Sequence, residues 1–325
     1  MAVGAFITPG RSIERAIEHV RLAESLGYDA LYTTHIAGFE SLTVLAAYAT
    51  ATERIRLGTG VVPIYTRTPA TMAQTALTLD AISGGRLNLG LGVSHRVVVE
   101  HWHGQSIDRP VAEMREYIAI VRAILAGEDP PAGEKWRTAF HLMGVEPRPQ
   151  LPIYVAALSP AMLRAAGEIA DGVLLWLCVP EYIASVVIPA VREGRERAGK
   201  DLEGFDIVPA VPCAVPAAGK QSADVLDGLR GELLTYFGLP FYRAMIERAG
   251  FAQEIAAFDQ AAGAGDSAAM RAAISDRFLS ALAGIGEQGD VRAAIERYRA
   301  AGATTPCVGP APHGDLEATL RAAIS

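Results

Sequence analysis

The sequence predicts an α/β chain closed as a parallel (β/α)8 TIM barrel with insertions at its C-terminal face, and three observations lead there. Strand and helix signals alternate from end to end of the 325 residues, making roughly eight β/α pairs. The G-x-G-x-x-G turn expected of an open dinucleotide-binding sheet is missing, since Gly58-Thr59-Gly60 and Gly90-Leu91-Gly92 each lack a third glycine. Glycine is nevertheless crowded at the ends of two successive strands, where parallel α/β proteins bind ligands. A doubly wound open sheet is the structural alternative. The glycines themselves have two readings: a flat ligand lying against bare backbone, or relief of crowding in a tightly twisted barrel.

The elements follow in order. Val3 to Ile7 is a short apolar strand. Ser12 is placed to cap a helix whose stripe is Ile13, Ala16, Ile17, Val20 and Leu26, ending at Gly27. Arg15 stands where a capping box would want Glu. Tyr28 to Thr33 is the next strand and Thr43 to Ala51 the next helix. Arg56 to Val62 is a β-prone run opening into Pro63-Ile64-Tyr65. Thr68 to Ile82 has helical spacing and stops at Ser83-Gly84-Gly85, and Leu87 to Val93 is a strand ending in small residues. Val111 to Ala126 is an amphipathic helix ended by Gly127. Glu128 to Gln150, with Pro130-Pro131, Gly133, Gly144, Pro147 and Pro149, reads as an excursion. Pro152 to Ala156 resumes as a strand. Ser159-Pro160 opens a helix with a cap and a proline at its first position. Gly172 to Leu177, Asp206 to Val215 and Thr305 to Val308 are strands, and Glu181 to Ala198 and Leu316 to Ile324 are helices. Gln221 to Gly286 is alanine-rich and helical with no intervening strand, an insertion serving as a lid or an oligomer contact.

Half the residues are hydrophobic and the net charge is -7. That suits a large buried core and argues against a nucleic-acid partner, which needs a basic footprint. Lysine occurs only at Lys135, Lys200 and Lys220. Cys178, Cys213 and Cys307 are far apart among apolar neighbours, so they read as core residues rather than disulfides or a zinc site. His101-Trp102-His103 lacks the spacing of a metal pair and reads as an aromatic wall or as packing, so no metal site is expected. With no secretory pattern and no apolar run long enough to span a bilayer, a cytoplasmic location is expected.

The runs GYDALYTTH, RIRLGTGV, RTPATMAQTALTLDAISGGRLNLGLGVSHR and IYVAALSPAMLRAAGEIADGVLLW resemble the luciferase-like monooxygenase superfamily, nearest to its branch that uses the deazaflavin coenzyme F420. The S-G-G-R turn followed by L-x-L-G-x-G is its most specific part. The resemblance implies one barrel domain over 1–325, with the helical insertion at about 221–286 and the flavin-type ring at the C-terminal mouth. It implies a cis peptide at Gly60-Val61 in a bulge pressing on the ring. It places His35 near the reacting carbon, where histidine can polarise a carbonyl or donate a proton; the plainer alternative is a residue capping a strand end. Thr34 stands where relatives carry Asp, which removes a carboxylate from the ring edge. Gly92, Val93 and Ser94 fall beside the ring, and His95 stands near the place where some relatives have an acidic Glu. Ala156, Ala157, Leu158 and Ser159 match the phosphate site, an ordinary helix cap being the alternative. Arg67 is a partner for phosphate or the acidic tail, or else a solvated loop arginine.

Three functions compete. The first is an F420-dependent oxidoreductase transferring a hydride to or from a small organic substrate. The second is an FMN-dependent monooxygenase using O2 and reduced flavin from a partner reductase. The third is a non-catalytic flavin-binding barrel. The resemblance implies a homodimer, and the helices Ser12 to Leu26 and Thr43 to Ala51 carry many small and apolar residues for such an interface.

Overall fold

The structure is a computed structural model that describes residues 2–324; of the expected span 1–325, the two end positions lie outside the described residues. Its strands are β1 (Gly4–Phe6), β2 (Ala30–Thr33), β3 (Arg56–Thr59), β4 (Val62–Pro63), β5 (Leu87–Gly92), β6 (Ile153–Ala156), β7 (Gly172–Trp176), β8 (Asp206–Pro216), β9 (Gly284–Ile285), β10 (Cys307–Pro310) and β11 (Gly314–Asp315). The parallel strands run in the order β10-β1-β2-β3-β5-β6-β7-β8. Cys307 of β10 pairs with Gly4 on one side and Ala210 on the other, so the ring closes as an eight-stranded barrel. The open-sheet alternative is excluded.

Several elements differ from expectation. The run Arg56 to Val62 is broken at Gly60-Val61, which is a cis peptide; β4 resumes beyond it and pairs with β5 through Val62 and Leu91. The Thr43 to Ala51 helix starts at Ser41, because the Glu40 carboxylate accepts the N–H groups of Leu42 and Thr43. The helix expected over Glu181 to Ala198 contains a wider π turn at Ile183–Val187, just before Pro189, which cannot donate to the preceding turn. The Gln221 to Gly286 stretch is not strandless: Gly284 pairs with Cys213. The helix Gln288–Ala300 was not anticipated; its start is polar, and the cap is Glu287 exchanging hydrogen bonds with Asp290.

The barrel interior settles why the two strands are rich in glycine. Tyr32, Tyr154, Leu174, Val208 and Cys307 pack inside the ring with Phe6. Phe6 and Tyr32 stack at 6.3 Å, and Tyr32 meets Tyr154 edge-on at 6.2 Å. A Cβ on Gly58 would strike the Tyr32 ring, one on Gly60 the Phe6 ring, one on Gly90 the Thr59 carbonyl, and one on Gly92 the Val61 side chain. Protein atoms already fill these places, so crowding by itself requires the glycines. Asn88 Nδ2 donates to the Tyr32 hydroxyl at 3.0 Å, and the Tyr154 hydroxyl donates to Asp206 at 2.6 Å. These bonds satisfy polar groups where burial is costly.

The S-G-G-R turn has its own cause. Gly84 and Gly85 take φ of 68° and 83°, which glycine adopts without a steric penalty. They turn Arg86 back toward the preceding β/α unit. Its guanidinium donates to the carbonyls of Ser83, Ala49, Thr52 and Ile55 and to the Thr52 hydroxyl at 2.6–3.0 Å. It thereby closes the C-terminal end of the Ser41–Ala51 helix.

The 128–150 excursion has no helix or strand and is clamped to the barrel wall. Glu116 accepts the successive N–H groups of Glu134, Lys135 and Trp136 at 2.6–2.9 Å. Arg148 binds buried Asp80 at 2.7 Å. Beyond β8, the helices Ser222–Phe237, Pro240–Ile246, Ala252–Gly263, Ser267–Ala272 and Asp276–Leu282 form a unit of their own. Phe237, Phe251, Phe258 and Phe278 meet at 5.0–5.6 Å at its centre. All three cysteines are free and buried; burial raises each thiol, Cys213 to about 12. No helix among the described residues is long and apolar enough to cross a membrane.

Candidate active site

The C-terminal ends of β2, β3, β5 and β6 are neighbours in the ring, and they carry the residues singled out from the sequence. Thr34 and His35 follow β2, Gly60-Val61 follows β3, Val93-Ser94-His95 follows β5, and Ala157-Leu158-Ser159 follows β6. The structure thus brings them to one arc of the rim.

His35 Nδ1 lies 3.0 Å from Ser41 Oγ and 3.4 Å from Glu40 Oε1. Burial alone would raise the Glu40 carboxyl. Hydrogen bonds from His35, from the Thr43 side chain and from the N–H groups of Thr43 and Leu42 outweigh that, and hold it well below the usual carboxylate range. Glu40 is therefore ionised and can only accept. That puts the proton of a neutral His35 on Nδ1 and leaves Nε2 as an acceptor. Because the folded-state pKa is depressed, the stability Glu40 lends is present above its unfolded pKa and is lost as pH falls through the folded one. Position 40 thus brings a carboxylate to His35. Sequence reading passed over Glu40; the signal was a carboxylate immediately before a helix start.

Arg67 is not a solvated loop arginine. Its Nη2 lies 3.1 Å from Glu40 Oε1, so part of its charge is already compensated. Ser94 has φ 57°, a left-handed conformation that costs a serine roughly 1 kcal/mol or more and that reverses the chain toward His95. Burial lowers the His95 pKa, leaving its ring neutral near pH 7.

At the end of β6, Ser159 caps the Pro160–Ile169 helix, its Oγ accepting the Met162 N–H at 3.3 Å. The Leu158 carbonyl accepts the Tyr182 hydroxyl at 2.7 Å. The Leu158 and Ser159 N–H groups have no partner among the described residues, and the Ser159 hydroxyl retains a proton to donate. Unpaired N–H groups at a helix start with the positive end of its dipole fit a phosphate.

A second wall was not legible in sequence. Trp176, at the end of β7, lies 5.7 Å from Phe6 and 6.1 Å from Tyr236; Tyr236 lies 4.8 Å from Tyr242, and Tyr242 5.6 Å from His95. Aromatic rings of the post-β8 helices are thereby laid against the rim. The triplet His101, Trp102 and His103 is no such wall and is not packed: all three are exposed, Trp102 at 56%.

Relatives share this architecture. A Mycobacterium tuberculosis protein provisionally named as a coenzyme F420-dependent oxidoreductase is 32% identical over 309 residues, covering 88% of each chain. A 5,10-methylenetetrahydromethanopterin reductase from Archaeoglobus fulgidus is 27% identical over 316 residues, covering 95% of this chain and 93% of its own. The solved coenzyme F420-dependent tetrahydromethanopterin reductase of Methanopyrus kandleri superposes with a TM-score of 0.81 at 24% identity, over 100% of this chain and 97% of that one, a likeness of fold. The sequence model described as luciferase-like monooxygenase matches residues 1–305. With a barrel closed in this way and a match over nearly its whole length, the chain belongs to the luciferase-like monooxygenase family.

Proposed function

We propose that this protein is an F420-dependent oxidoreductase that moves a hydride between the deazaflavin and a small organic substrate. The observation that carries the reading is the pair of unpartnered N–H groups at Leu158 and Ser159, a phosphate seat after β6 on the same side of the barrel as His35 after β2. The name of the Mycobacterium relative supports the choice of cofactor. When bound, the deazaflavin supplies the two-electron chemistry. The chain's own part is to hold the phosphate at Leu158 and Ser159, with Ala156 and Ala157 leading into that turn, and to flank the ring with Thr34, Gly60, Val61, Gly92, Val93 and Ser94. His35, its Nδ1 proton held by Glu40 and Ser41, presents Nε2 to take up or return a proton; His95 lies next to the substrate side.

One observation favours the FMN reading: Arg67, the group offered to the acidic tail of F420, already pairs with Glu40. Separate titrations decide. The expected outcome is micromolar or tighter F420 binding that weakens with salt, since partly exposed charge pairs are screened. Glu40→Gln, which releases Arg67, should tighten F420 and leave FMN unaffected. Tight FMN binding with no detectable F420 binding would overturn the assignment.

The protein is also proposed to be a two-fold homodimer through its early helices. Leu42, Ala46, Leu79 and Ile82 line one open groove between the Ser41–Ala51 and Pro69–Ser83 helices, and Ile82 stands 46% exposed there, an apolar surface suited to a second copy. Light scattering at micromolar concentration should give twice the chain mass of 34.4 kDa; a monomer would refute it.

A further inference from the structure

Arg67 lies on the turn between β4 and the Pro69–Ser83 helix, and two side chains of the Pro110–Ala126 helix tie that turn down. Glu113 and Tyr117 are both buried and stand one helical turn apart, so they share a face. The Tyr65 hydroxyl donates to Glu113 Oε2 at 2.5 Å, and the Tyr117 hydroxyl donates to the Arg67 carbonyl at 3.0 Å. The turn is thus fixed on both sides of Thr66, whose own N–H and hydroxyl close it on the Pro63 carbonyl at 3.2 and 2.8 Å. Beyond it, Arg67 Nη2 meets Glu40 Oε1, the oxygen that also faces His35 Nδ1. The 128–150 excursion backs this clamp. The Trp136 ring lies 5.0 Å from Tyr117 and 6.1 Å from Tyr65. Lys135 Nζ donates to Glu113 Oε1 at 2.9 Å and to the Ser106 carbonyl at 2.5 Å.

Burial alone would raise the Glu113 carboxyl. Hydrogen bonds from Tyr65 and Lys135 outweigh that and hold it below the usual carboxylate range. A buried ion pair adds little net stability, because desolvation of both charges offsets their attraction. Its contribution here is direction: an ionised carboxylate only accepts, so the Tyr65 hydroxyl has one place to point. We propose that Glu113 and Tyr117 are positioning residues that hold Arg67 on Glu40, and through Arg67 fix the Glu40 carboxylate beside His35. This rests on the proposed function insofar as His35 handles the proton. Partly exposed ion pairs are weak chiefly because two long side chains must be held in one geometry. Fixing the Arg67 backbone in advance removes part of that cost.

The test follows the guanidinium N–H groups of Arg67 by NMR in the full chain without cofactor, with Arg67→Lys identifying the signals. Tyr65→Phe and Tyr117→Phe each delete one oxygen and keep the ring. Each should speed exchange of the Arg67 protons with water about fivefold, the usual worth of one hydrogen bond. The Arg86 guanidinium, bound on another part of the barrel, should not change. With F420 and substrate, kcat should fall by a similar factor while KM changes little. Unchanged Arg67 exchange in either variant would overturn the proposal, since Glu40 alone would then hold the arginine. An equal rise at Arg86 would overturn it too, as a general loosening of the fold. So would faster Arg67 exchange with unaltered turnover. Faster Arg67 exchange in a protein that shows no F420 turnover even when unaltered supports the clamp and sinks the proposed function; unchanged exchange in a protein that turns over F420 does the reverse.

Discussion

His35→Phe is expected to lower turnover by roughly 10²–10⁴-fold, the usual worth of a positioned proton donor or acceptor, while F420 affinity changes little. Phenylalanine keeps the ring's bulk and loses both nitrogens. The effect should therefore appear in kcat, because phosphate binding depends on Leu158 and Ser159 at another strand end. Glu40→Gln should produce a smaller kcat loss, since the amide can still meet Nδ1 but no longer demands a proton from it. Steady-state rates on one substrate, with F420 affinity measured by equilibrium titration, check both. Unchanged turnover in His35→Phe would remove this residue from the mechanism and leave it as the residue that closes the β2 turn through Ser41.

Arg86→Met should cost about 3 kcal/mol of stability. The guanidinium holds four backbone carbonyls and a hydroxyl. Hydrogen bonds to a charged group contribute about 1.5–3 kcal/mol each, but the position is half-buried, so water recovers part of the loss. Methionine preserves the stem's packing and isolates the polar contribution. Arg86→Lys should recover little, because one ammonium cannot span acceptors on the Ser83 turn, the Ser41–Ala51 helix end and the start of β3. The midpoint of urea unfolding should fall for both variants with little change in slope. A midpoint equal to that of the unaltered protein would mean that the S-G-G-R turn is held by its glycines alone.

The barrel was legible because its signals are local. Apolar periodicity, Ser12 and Ser159 as caps, the Ser83-Gly84-Gly85 stop and the spacing of strands and helices each depend on a few adjacent residues, and together they admit few topologies. The rim positions of His35, Ser94, His95 and Ser159 followed from the same pattern, since the residue after a barrel strand lies at the mouth wherever the chain goes next. Tertiary structure decided what those residues touch. Whether Gly58 and Gly60 yield space to a ligand or to Tyr32 and Phe6 depends on rings from other strands. Glu40 acquires its role because the β2 turn folds its carboxylate onto His35 and Arg67. Trp176, Tyr236 and Tyr242 form a wall because helices beyond β8 return to the ends of β7 and β5. Sequence by itself determined the fold, the rim and the family likeness; long-range packing alone determined the partners of each side chain, because contacts between residues distant along the chain leave no local pattern to read.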